Sequence, residues 1–182
     1  DDVERLLKRV KELIDDDLRK TEKALREIEK LSRDNKKRTE DVLREIEERL
    51  RRLEEATRRG EIREEEVEKV IREVRELLKD STRHTEELVR RVRRLLEEIK
   101  RHNTELRKEV RELLDDVRRK EDSERVRKII RDVERLLEES TRRNEEAVKR
   151  VERLLEENKK RNEDVVREVE KELRRLREEA RK

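Results

Sequence analysis

Residues 35–43 read NKKRTEDVL, and nearly the same nine letters return at residues 158–166 as NKKRNEDVV. In each copy an Asn, followed four residues later by a Thr or a second Asn, stands where the surrounding pattern places Leu or Val. These are Asn35 and Thr39 in the first copy, Asn158 and Asn162 in the second. A polar side chain in an apolar stripe needs a partner, because one buried unpaired costs about 1–3 kcal/mol. The distance between the copies therefore bears on which segments lie side by side.

The stripe around the first copy runs Val3, Leu7, Val10, Ile14, Leu18, Thr21, Leu25, Ile28, Ser32, Asn35, Thr39, Leu43, Ile46, Leu50, Leu53 and Thr57. It recurs about every 3.6 residues, the period of a straight α-helix, whereas about 3.5 would impose a left-handed supercoil. The same period runs from Arg63 to Val117 and from Val126 to Ala180. Doublets such as Leu77-Leu78, Leu95-Leu96 and Leu154-Leu155 widen each stripe, so that each helix can face two neighbours.

Helix-breaking signals stand at two places. Gly60, in TRRGEIREEE, is suited to end a helix, and Glu64, Glu65 and Glu66 then favour the positive start of the next. In KEDSER, residues 120–125, Asp122 or Ser123 can cap a third. The chain thus reads as three helices over approximately 2–58, 63–119 and 123–181, with loops near 59–62 and 120–122. Each is roughly 85 Å long, too long to stand on propensity alone. The expected fold is all-α: one unit over residues 1–182, a single-chain antiparallel up-down-up three-helix bundle of long, nearly straight helices.

Composition fits this and removes alternatives. Charged residues make up 61% and apolar ones 29%, with no Pro, Cys, Met or aromatic residue and a single Gly, as in long helices and not in disordered chains. Without Cys there is no disulfide framework, thiolate metal site or cysteine nucleophile. Apolar runs stop at doublets such as Leu6-Leu7 and Ile129-Ile130, so no membrane span is expected. No targeting segment is expected, and a start at Asp1 fits a trimmed N-terminus. The net charge of +3 is too small to specify an acidic partner.

Antiparallel pairing around Gly60 makes facing residue numbers in the first two helices total about 120. A turn near residue 121 makes those of the second and third total about 243. The first and third helices are then parallel with an offset of about 123, the spacing of the two NKKR copies. The polar interruptions fall into shared layers under these rules. Thr39, Ser81 and Asn162 form one, and Asn35, Thr85 and Asn158 the next. About four turns away Thr21, Ile99 and Asn144 share a layer, beside Asp17 or Leu18, His102 or Asn103, and Ser140 or Thr141. Partners present in only one register penalise every slipped packing, so these residues read as a structural core network that specifies register.

At this point the chain resembles de novo designed helical bundles, built from parametric backbones with buried hydrogen-bond networks. The resemblance covers the whole chain. It is carried by the equal helices, the RRLLEE and EELVRRV surface filler, the minimal loops, and the layered STRHT (81–85) and STRRN (140–144) segments. It implies no natural biochemical activity, and no native compartment beyond soluble expression in bacterial cytoplasm.

Other chemistries fit the residues less well. His84 and His102 lie roughly 27 Å apart on one helix, too far to share a metal, so each reads as a network or flank residue. Asp17, His102 and Ser140 supply the ingredients of a hydrolase triad, but a packed bundle offers neither oxyanion hole nor cleft. Arg90, Arg91, Arg93 and Arg94 form the densest basic run. Glu86, Glu87, Glu97 and Glu98 flank it and no aromatic residue is present, so it reads as a solvated face and not a nucleic-acid surface. The expectation is a monomeric scaffold without enzymatic activity, cofactor, metal, nucleic-acid or membrane partner. Its competitor is an interaction module that self-associates, or completes a four-helix or larger bundle with another chain.

Overall fold

The computed structural model describes residues 2–181, which form three helices: α1 over Asp2–Arg58, α2 over Glu64–Lys120 and α3 over Glu124–Arg181. α1 ends in a Schellman motif. Gly60 adopts a φ of 67°, its N–H donates to the Thr57 carbonyl at 3.1 Å, and the Glu61 N–H donates to Ala56 at 3.1 Å. α2 begins one residue later than the pattern suggests. The Arg63 carbonyl accepts from the Glu66 and Val67 N–H groups at 3.0 and 3.3 Å, which makes Arg63 the cap. At the start of α3 Ser123 is the cap, its Oγ accepting from the Val126 N–H at 3.2 Å. Asp122 instead accepts from Arg127 Nε at 2.9 Å.

The chain divides into two compact units. Unit 1 takes residues up to Glu29 together with Val92–Arg153, and unit 2 takes Lys30–Arg91 with residues from Leu154 onward. In unit 1 the apolar core joins Val3, Leu7 and Val10 of α1 to Leu106, Val110, Leu114 and Val117 of α2 and Val126, Ile130, Val133 and Leu137 of α3. Lys120 pairs with Asp2, and Arg9 with Glu109. The partner's number falls as the α1 number rises, so α1 and α2 are antiparallel there.

In unit 2 the core joins Ile46, Leu50 and Leu53 to Val67, Ile71, Val74 and Leu78 and to Val169, Leu173 and Leu176. Lys36 pairs with Glu157 and Arg161 with Glu40, numbers that rise together because α1 and α3 are parallel. Each unit is thus a three-helix, up-down-up arrangement.

Burial follows the stripes with local adjustments. Along α1, Ile14, Leu18, Leu25, Leu43 and Thr57 are only half-buried, whereas Asp17 is buried. At about 100° per residue the layer can take one member of the Asp17-Leu18 doublet fully, and it takes the carboxylate. Of the large apolar side chains described, Leu136 alone is exposed, at 45%. Among the described residues, no helix is long and apolar enough to cross a membrane.

Candidate functional site: the buried polar layers

In unit 2, Asn35, Thr39, Ser81, Thr85, Asn158 and Asn162 are all buried, and so is Ser32. The Asn35 amide donates to Thr85 Oγ1 at 3.3 Å and to Asn158 Oδ1 at 3.2 Å. Asn158 in turn donates to Ser32 Oγ at 2.8 Å and to the Leu154 carbonyl at 2.7 Å. The Thr85 hydroxyl, having accepted from Asn35, donates to the Ser81 carbonyl at 3.0 Å. Both N–H donors of Asn35 and both of Asn158 are thereby used, the condition for an amide to sit in a core without a large penalty.

The neighbouring layer divides. Ser81 Oγ donates to Asn162 Oδ1 at 2.9 Å, and Asn162 Nδ2 donates to Thr82 Oγ1 at 3.0 Å. Thr39 does not bond across the layer: its hydroxyl donates to the Asn35 carbonyl of its own helix at 2.9 Å. A helical Thr reaches the carbonyl four residues back without leaving its rotamer, which competes with any partner across the core.

In unit 1 Asp17, Thr21, Asn103, Ser140 and Asn144 are buried. A bond from Asn144 Nδ2 to Asp17 Oδ2, at 3.4 Å, joins the two layers. His102 belongs to neither. It is exposed, because Asn103 beside it takes the inward position and adjacent helical residues point about 100° apart. Asp17, His102 and Ser140 are therefore not aligned as a triad would require. Thr141, the other member of its doublet, is half-buried and donates to the Leu137 carbonyl at 2.9 Å. His84 is half-buried with its Nδ1 3.8 Å from Glu87.

Two of the bonded hydroxyls lie outside the layers drawn from sequence. Ser32 stands one turn before Asn35, and Asn158 reaches it across a layer boundary. Thr82 is the half-buried neighbour of Ser81. The signal for both was available in the polar partners Ser32-Asn35 (i, i+3) and Ser81-Thr82, which a layer-by-layer reading treats as flat.

Shifted titrations lie on the surface. The Lys20 ammonium, 2.9 Å from Asp16, holds that carboxyl below its usual range, and Arg19 and His102 add to the effect. Arg175 does the same to Glu172, and its own guanidinium is held more firmly protonated in return. These pairs sit on exposed faces and are solubilising contacts. The buried layers offer hydroxyls, amides and one carboxylate, a chemistry of hydrogen bonding.

Among solved structures the chain is similar to a computationally designed three helix bundle, at 21% identity over 99% of this chain and 87% of that chain, with a TM-score of 0.31. No protein-family model matches, and no curated protein matches.

Proposed function

We propose that the protein is a self-contained structural scaffold of the designed type, without natural biochemical activity, whose buried polar layers specify helix register. The observation that carries the reading is the linked set Ser32, Asn35, Thr85 and Asn158, which ties all three helices of unit 2 together. Shifting one helix by a turn would strand those amides in an apolar environment, at about 1–3 kcal/mol each. A core built of Leu, Val and Ile has no comparable means of rejecting such a shift. The scaffold reading also draws on the way the three helices consume their own apolar faces, with Leu136 the one large exception among the described residues.

Residues 1–182 act, on this proposal, as one folding unit, since α1, α2 and α3 each run unbroken through both compact units. Light scattering on the purified protein tests the self-contained state. A monomer across concentrations supports the scaffold. A dimer, or a loose state that sharpens on adding a helical partner, would overturn it in favour of an interaction module.

A further inference from the structure

Unit 1 contains a complementary mismatch. Asp17 and Asn103 fall in one layer and are 6% and 5% exposed. Asn103 Nδ2 is buried with no acceptor. The Asp17 carboxylate, with about four acceptor positions, receives the long bond from Asn144 at 3.4 Å. Burying a carboxylate is costly unless hydrogen bonds compensate it. A buried amide donor without a protein acceptor and a buried carboxylate thus fall in the same layer of the core. Asn144 borders both: it touches Asp17, and with Asn103, Ile99, Thr141 and Val148 it lines a groove of about 500 Å³ between α2 and α3.

We propose that the Asp17–Asn103 layer is a water-binding site in the core, in which ordered water accepts from Asn103 Nδ2 and donates to the Asp17 carboxylate. The chemistry selects the ligand. A cation cannot accept from the amide N–H, and an anion would be repelled by the carboxylate. The bridging molecule must accept at one end and donate at the other, as water does. A buried water makes about three hydrogen bonds, and the buried hydroxyls of Ser140 and Thr21 in these layers supply the further partners. The groove between α2 and α3 gives solvent its approach. Unit 2 differs because its Asn35 and Asn158 amides are donated to protein oxygens.

A crystal structure of the full chain, at a resolution that orders waters, tests this directly. The expected result is a peak within about 2.7–3.2 Å of both Asn103 Nδ2 and an Asp17 carboxylate oxygen. A direct Asn103–Asp17 bond, a dry layer, or an ion at about 2.3–2.6 Å from oxygen ligands would each overturn the proposal. Thermal melts of Asp17→Leu, Asn103→Leu and the double variant give a second reading. A linked pair predicts that each single change lowers the Tm and that the double lowers it by less than the two together. Strictly additive shifts, or a single change that leaves the Tm unmoved, would contradict the link.

Discussion

Asn35 donates its side-chain amide to Asn158 Oδ1 at 3.2 Å, joining residues 123 positions apart in the chain. The same amide donates to Thr85 at 3.3 Å, so one side chain of α1 is bonded to both other helices. Asn158 then reaches back to Ser32 of α1. These contacts accompany a parallel α1 and α3 in unit 2, whose residue numbers rise together in the pairs Lys36–Glu157 and Glu40–Arg161.

The turn at Gly60 should be sensitive to a single methyl group. Its φ of 67° is left-handed, and a Cβ built there meets nothing within 4 Å. Gly60→Ala therefore carries only the backbone cost of that conformation, about 1–2 kcal/mol of stability. Chemical denaturation measures it, and an unchanged midpoint would show that the helix can end another way.

Core and surface leucines should separate sharply. Leu173 is 1% exposed inside the unit 2 cluster, so Leu173→Ala should cost about 2–5 kcal/mol. Leu136→Ala, at a side chain 45% exposed, should fall within about 0.5 kcal/mol of the parent. Equal losses in denaturant midpoint would mean that Leu136 is covered in solution.

Acid should weaken the surface pairs in a defined direction. Asp16 and Glu172 have folded-state pKa values depressed by Lys20 and Arg175. A depressed carboxyl contributes stability above its unfolded pKa and loses that contribution as pH falls through the folded value. Carboxyl titration by NMR should place Asp16 below the ordinary aspartate range, and Lys20→Gln should move it upward. No movement in that variant would remove the ion pair as the cause.

The three unbroken helices predict one unfolding transition for the whole chain. Hydrogen exchange and circular dichroism should report the same midpoint for residues of unit 1 and unit 2. Two separated midpoints would show that the units fold independently.

Much of this organisation was legible because one helical period, repeated in three stripes, and two turns leave little freedom. Once Gly60 and the residue 120–125 segment are taken as turns, the stripe positions decide which residues can face one another. Periodicity alone does not choose within a doublet. Asp17 enters the core where Leu18 is the apolar candidate, and Asn103 enters where His102 is its neighbour. Nor does it say what a buried hydroxyl bonds to. Thr39 turns to its own backbone, and Asn158 crosses to Ser32, because side-chain reach and local competition operate below the resolution of a layer diagram.

Replacing Asn35, Thr85 and Asn158 together with Leu separates polar from apolar control of the register. The measurement is the pattern of backbone amide resonances, followed alongside the melting temperature. If the polar layers choose the register, the Tm equals or exceeds that of the parent, and the resonances broaden or multiply as slipped packings become populated. A variant that unfolds would show the network holding the bundle together, and a stable variant with one sharp set of resonances would show that the apolar packing sets the register unaided.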